Sequence, residues 1–349
     1  VRSAMTIGHA IARRGNKVVF VVPRGTPVNV ERSDKFIPFF LPAKCRDLSR
    51  EAVSFLTIVR LAGRESIDVI ATFDGHSHLL GYCIGRWLRV PAISTVCGGQ
   101  IRHRYPYTRP VIVFSHELQD TMVDRFGFRR EDIIVEPARI AADMVVPPAD
   151  KHGIAVKIGV DESKVLIGMV GRLHTEVETA IVHVLKAVGA LATRRNDFTF
   201  VHVGAIEEQG SARRVAACIQ RVNDHAGRTV AVSNQSMATE ALRFMNSVDI
   251  LCGRGRAAFE GMLCQKPIVI VGGTGFAGIV GPDNNVHELA YYNFSGRNAR
   301  QADGEALVAS LARLIDDVQY REQCARVGSN WVRSELNVEQ AASTYLGIY

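Results

Sequence analysis

The sequence predicts an α/β protein of two doubly wound domains. Three observations carry that expectation. Short β-branched runs alternate with longer amphipathic stretches. The alternation lapses once, in the proline-rich segment 136–151. The chain has 349 residues, about two domains at roughly 150 residues each. In order, residues 4–13 read as a helix stopped by Gly15-Asn16. Residues 18–22 are an apolar run between Lys17 and Pro23, as expected of a buried strand. Strands are likewise expected at 69–73, ending in Asp74-Gly75, at 92–96 after Pro91, and at 111–115 after Pro110. Residues 79–88 and 117–126 have helical spacing. Pro137, Pro147 and Pro148 then mark the boundary, so that the first domain is residues 1–145. Beyond it, strands are predicted at 165–170, 198–203, 229–232, 249–251 and 267–271. Helices are predicted at 178–194, 213–226, 239–246, 257–263, 305–315 and 320–336. In such sheets ligands bind beyond the carboxyl ends of the strands, so the default site is a cleft between the domains. A doubly wound domain starts with a strand before its first helix, and the expectation here is a first strand missing ahead of Val1.

Composition narrows the function classes. Apolar residues are 47% and charged residues 22%, which excludes a disordered, collagen-like or coiled-coil chain. No apolar run approaches the ~18–20 residues of a membrane span. The seven Cys include no C-x-x-C pair, so reduced thiols and a cytoplasmic setting are expected. The net charge of +7 lies wholly in residues 1–145, with 21 Lys+Arg against 14 Asp+Glu, whereas residues 146–349 hold 21 of each. A basic half favours an anionic partner or a membrane surface. H-E-x-x-H, G-x-S-x-G, G-K-[ST] and D-x-D are all absent.

Two segments read as anion sites. Gly171-Arg172-Leu173 directly follows the strand 165–170, placing an Arg beside a Gly at a strand's carboxyl end. Cys252-Gly253-Arg254-Gly255-Arg256-Ala257 leads from a strand into a helix. Its glycines let a ligand approach, its arginines are cationic donors, and the helix start offers free N–H groups. Glu260, one turn on, can accept from a ribose diol. Gly273-x-Gly275-x-x-Gly278 matches a dinucleotide fingerprint but opens no long helix before Pro282, Asp283, Asn284 and Asn285; it reads as a flexible glycine loop facing the cleft. His76 and His78 have a spacing that could bind metal on a strand, but a loop role is the better reading. The basic, aromatic segment 102–109 suits an acceptor- or phosphate-facing loop, or a solvated one. No nucleic-acid motif is present.

Taken in order, these features resemble retaining glycosyltransferases of family 4, with the two-domain GT-B fold. Val170-Gly171-Arg172-Leu173 resembles the family's V-G-R-L, whose Arg binds the donor diphosphate. Residues 252–267, with Gly253, Gly255, Glu260 and Cys264-Gln265-Lys266-Pro267, resemble E-G-F-G-x(4)-E-A-x-A-x-G-x-P, in which the second Glu holds the ribose. Residues 91–98 resemble the strand and loop that present an active-site His-Gly to the sugar, putting Cys97 and Gly98 at that position. Residues 115–126 and Glu136-Pro137-Ala138-Arg139-Ile140 resemble the end of the acceptor domain.

The resemblance implies a nucleoside diphosphate sugar donor on residues 146–330, bound by Gly171, Arg172, Gly253, Arg254, Gly255, Arg256, Ala257 and Glu260. It implies no metal and no further cofactor. It implies a glycan or glycolipid acceptor entering past residues 97–100, peripheral contact with an anionic membrane, and a C-terminal helix at 331–349 that crosses back onto the first domain. Three motif positions are substituted: the first motif Glu is Cys252, the Lys after the family's Arg is Val177, and the active-site His is Cys97. Those changes bring in two alternatives, a non-catalytic sugar-nucleotide-binding protein and a sugar-nucleotide epimerase of the same fold.

Overall fold

A computed structural model describes residues 1–23, 32–41, 48–73, 75–98, 101, 106–141, 144, 146–283, 286–297 and 304–348. Asp74, Gly99, Gln100, residues 102–105, Asn284 and Asn285, all singled out above, lie outside the described residues. The chain divides into two compact units, Val1–Ala141 with Glu335–Tyr349, and Ala142–Ser334.

The first unit opens with α1 (Arg2–Arg13), followed by the parallel pair β1 (Val18–Pro23) and β2 (Phe36–Leu41). A four-stranded parallel sheet follows in the order β3 (Ile70–Phe73), β4 (Ala92–Val96), β5 (Val111–Val113) and β6 (Ile133–Val135). Its helices are α2 (Leu48–Arg64), α3 (His76–Leu88) and α4 (His116–Phe126). Fully buried strands read as continuous apolar runs, and β5 is one. Ile7 and Ala10 of α1 share a core with Ile93, Val96 and Val111. On α1, Gly8 faces Phe36, where an added Cβ would sit 2.9 Å from the ring. One short helix therefore packs on both sheets, and a glycine makes the second contact possible.

The unit closes with α13 (Val338–Gly347), capped by Asn337, whose side-chain Oδ1 accepts from the Glu339 N–H. The helix expected at 320–336 ends at Glu335, and the single helix expected at 331–349 is instead interrupted at Leu336-Asn337. Leu336 accepts from the Arg139 and Ile140 N–H groups, and a backbone that pairs with residues 139–140 cannot also stay helical. Arg13 pairs with Glu339 of α13 at 2.6 Å. Ala341, Ala342 and Tyr345 enter the first unit's core.

The second unit is one six-stranded sheet in the order β12–β11–β10–β7–β8–β9. The strands are β7 (Val165–Val170), β8 (Phe198–Val203), β9 (Ala231–Asn234), β10 (Ile250–Gly253), β11 (Ile268–Gly272) and β12 (Gly275–Val280). All pair in parallel except β11 with β12. The helices are α5 (Lys151–Ile158), α6 (Thr175–Ala192), α7 (Gln209–Ala226), α8 (Ala241–Ser247), α9 (Arg256–Leu263), α10 (Val286–Tyr291), α11 (Gly304–Asp316) and α12 (Val318–Glu335). Buried Ile167, Phe198, Phe200, Val184 and Leu311 lie in its main core. The glycine-rich segment 273–278 is not the flexible loop that the sequence suggested. It is a hairpin: Gly273-Thr274 turns the chain, and β12 runs back along β11. His76 and His78 likewise sit on the first turn of α3, not on a strand or loop.

The packing of α1 is testable. A bulky side chain at Gly8 must displace Phe36, and overpacking of this kind costs about 1–3 kcal/mol. Gly8→Leu should lower the urea midpoint of the first unit's unfolding, read by fluorescence and proteolysis.

Candidate functional site

The site is built at the carboxyl ends of β7, β10 and β11. The chain leaves β7 at Gly171. The Gly171 N–H donates to Val203 and the Leu173 N–H to Ala205, so the first residues past β7 still ride on the end of β8. His202 of β8 is fully buried. Its Nε2 lies 2.9 Å from the Gly171 carbonyl and its Nδ1 3.0 Å from Ser233 Oγ. A carbonyl only accepts, so Nε2 carries the proton and Nδ1 accepts from the serine. Burial holds this imidazole down to about 4, against its ordinary 6.5. A Cβ on Gly204 would overlap the Gly171 carbonyl oxygen.

Arg172 follows at the loop's tip, 66% exposed, with its guanidinium 3.0 Å from Glu207. Val177, on the first turns of α6, is buried against Gly171. Glu176 faces the second loop, 3.6 Å from Arg254. Burial lowers the Arg254 guanidinium's pKa from its ordinary value, and Glu176 partly offsets this.

In the second loop, Cys252 is buried at the end of β10, and desolvation pushes its thiol up to about 12. It is an inert core group rather than a polar contact. Gly255 has φ +51° and donates its N–H to Phe294, and α9 starts there with no side-chain cap. The backbone N–H groups of Arg256 and Ala257 are therefore among the first of that helix, where anions are favoured. Glu260 is buried one turn on, and Arg256 Nε donates to its Oε1 at 2.7 Å. Gly253 ends β10. The third loop, Gly273-Thr274, borders the first, since a Cβ on Gly273 would meet the Glu176 carbonyl at 3.6 Å.

The structure thus brings Gly171, Arg172, Gly253, Arg254, Gly255, Arg256, Ala257 and Glu260 to one end of one sheet. Cys97 and Gly98 lie in the other unit, at the carboxyl end of β4; Cys97 is half-buried and Gly98 has φ +148°. Sequence reasoning missed His202, Gly204, Glu176 and Glu207. The signal for His202 was a polar residue inside the run Phe-Thr-Phe-Val-His-Val. For His78, Thr72 Oγ1 lies 2.9 Å from Nδ1, and burial again holds the ring down to about 4. Among the described residues, no three His, Cys, Asp or Glu gather as metal ligands would, and no helix is long and apolar enough to cross a membrane.

Comparison with known proteins gives the class first. Over 96% of this chain and 100% of the other, the structure superimposes on Anabaena HepE in complex with UDP and glucose, with TM-score 0.71 at 16% identity. Over 98% of this chain and 90% of the other, it superimposes on a sucrose-phosphate synthase from Thermosynechococcus elongatus, with TM-score 0.72 at 16% identity. The fold is GT-B, the glycosyltransferase fold of two Rossmann-like domains. Residues 1–138 match Glycosyltransferase Family 4. A lipid-A-disaccharide synthase of Alteromonas mediterranea is 26% identical over 129 residues; the match covers 37% of this chain and about a third (33%) of that protein's length.

Two outcomes follow from the site's packing. His78 and His202 are held below their unfolded values, so they bind protons only when the chain opens. Their stability contribution is full above pH 6.5 and is lost as pH falls from 6.5 toward about 4, by up to roughly 3 kcal/mol each. Tm should fall across that window, and His202→Gln, whose amide can still donate to Gly171, should remove its share. Gly204→Ala should destabilise the second unit by about 1–3 kcal/mol in urea titrations, because its Cβ meets backbone rather than a movable side chain.

Proposed function

We propose that the protein transfers a sugar from a nucleoside diphosphate sugar to a glycan or glycolipid acceptor, with retention and without a metal ion, at the cytoplasmic side of a membrane. The observation that carries this is the uncapped start of α9, flanked by Arg254 and Arg256 and set beside the Arg172 loop. Such an end attracts phosphates through its N–H groups and its cations together.

In this reading the diphosphate lies on the Arg256 and Ala257 N–H groups, and the ribose hydroxyls donate to Glu260. Arg256, which now spends its Nε on Glu260, turns toward the diphosphate as the ribose takes its place. The bond from the anomeric carbon to the diphosphate oxygen breaks. The electron pair leaves on that oxygen, where preorganised donors stabilise the developing charge. The acceptor hydroxyl oxygen bonds to the anomeric carbon on the same face and passes its proton to the departing diphosphate oxygen. Cys97 and Gly98 would line the acceptor's approach. The UDP held by HepE makes uridine nucleotides the first donors to try.

A second reading, a sugar-nucleotide-binding protein without transferase activity, is favoured by the burial of Cys252 and Val177. Neither side chain can replace the polar group of the family motif. Stabilisation by a ligand follows RT ln(1 + [L]/Kd), so a thermal-shift panel of sugar nucleotides should single out the donor. No response to any member would sink both readings. Arg256→Gln should weaken that nucleotide about tenfold by titration calorimetry, the worth of one charge-assisted hydrogen bond. Binding without transfer to any glycolipid acceptor would favour the second reading. Conversion of the donor with no acceptor present would favour an epimerase.

A further inference from the structure

On the first unit, α2 and α3 pack side by side, and each leaves an apolar stripe in solvent. On α2 the exposed residues are Val53 and Leu56, and on α3 they are Leu79, Tyr82 and Trp87. Trp87 is 71% exposed. The two stripes meet where Phe55 sets its ring edge-on to Trp87, with centroids 6.3 Å apart. The opposite faces are anchored: Leu61 and Ala62 of α2 and Ile84 of α3 are buried, and Gly81 lets α3 sit close on Thr72 of β3. The stripes are thus the outer faces of firmly held helices.

The same faces are basic. Arg60 and Arg64 continue the α2 stripe one and two turns beyond Leu56, and Arg86 and Arg89 flank Trp87; all four are exposed. Arg64 shares Glu65 with Lys17. Arg60, Arg86 and Arg89 have no carboxylate partner among the described residues. The sequence holds no Asp or Glu from residue 52 to 64, nor from 75 to 116, and the latter stretch carries five Arg.

Charge selects the occupant. An isologous pairing with a second copy would set these arginines against themselves with no acid to relieve them. Leu, Val, Tyr and Trp beside Arg are what a helix face lying in a lipid headgroup layer presents. We propose that the exposed face of α2 and α3 is a docking surface for the anionic phospholipid headgroups of a bilayer, with Trp87, Leu79 and Leu56 entering the interface and Arg60, Arg86 and Arg89 holding the phosphates. It assigns a surface to the membrane contact in the proposed function and relies on that reading only for the purpose of docking.

The test uses the whole chain carrying Trp331→Phe. Trp331 is the other of two tryptophans, and its buried indole N–H has no partner to lose. Trp87 emission should shift to the blue with phosphatidylcholine–phosphatidylglycerol vesicles and stay put with phosphatidylcholine alone. Arg86→Gln and Arg89→Gln should each weaken partition roughly fivefold, the worth of one arginine near an anionic surface. Leu56→Ser with Trp87→Ser, read by co-sedimentation with the vesicles because no tryptophan remains, should weaken it tenfold or more. These positions are exposed, so circular dichroism should be unchanged. Failure to partition, partition indifferent to lipid charge, or equal partition by the variants would overturn the proposal. Self-association relieved by Trp87→Ser would also overturn it and give the face to a second copy. Vesicle binding needs no donor, so its failure leaves the donor reading standing, and failure of donor binding leaves this one.

Discussion

The carbonyl of Gly171 fixes the geometry on which the candidate site depends. It accepts a hydrogen bond from His202 and lies so close to Gly204 that no side chain could intervene. The loop bearing Arg172 is therefore a continuation of the β7–β8 ladder and not a free excursion. A buried hydrogen bond of this kind is strong because no water competes for it, and costly to leave unmade for the same reason. Neutral His202 meets that constraint: one ring nitrogen must donate to Gly171 and the other must accept from Ser233. Protonation would leave a charge with no counter-ion and a serine with no acceptor there.

With that loop fixed, the others follow. The first turn of α6 can present Glu176 to Arg254 only because Gly171 and Val177 set where α6 begins. Arg254 then ties the β10–α9 turn to α6, and Gly255, in a left-handed conformation that disfavours a side chain, aims the start of α9 outward. Cys252 and Val177 belong to this scaffold. Both face apolar packing and hold the loops in place.

Most of this architecture was legible in the sequence, because a buried parallel strand declares itself as an apolar run. β4, β7 and β8 have the limits that the runs imply. Less legible were elements that depend on distant partners. The hairpin at 273–278 looked like a loop because its glycines disfavour a strand until β11 supplies hydrogen bonds to pair with. The break at Leu336-Asn337 is set by Arg139 and Ile140, two hundred residues away in sequence. The convergence of Arg172, Arg254, Arg256 and Glu260 could be expected from strand ends alone. Their ion pairs could not: Glu207 and Glu176 carry no motif, and only the fold brings them to the arginines.

Those pairs also explain why the two halves differ in charge. In the second unit Arg172 meets Glu207, Arg254 meets Glu176, and Arg256 meets Glu260. Each site cation is matched by a carboxylate, so the half is neutral while the site remains cationic in its donors. A single carboxylate on a guanidinium is an exchangeable partner. A diphosphate brings more charge and more acceptor oxygens, and can displace it where the arginine is partly exposed. Pairing also lessens the cost of holding arginines close together before a ligand arrives. On α2 and α3 the arrangement is reversed. Arg60, Arg86 and Arg89 stand in solvent with no carboxylate partner among the described residues, so nothing has to be displaced, and an anionic surface can meet them at the cost of screening alone. Paired cations suit a ligand chosen one molecule at a time; exposed, unpaired ones suit an extended surface. The surplus of +7 records that difference.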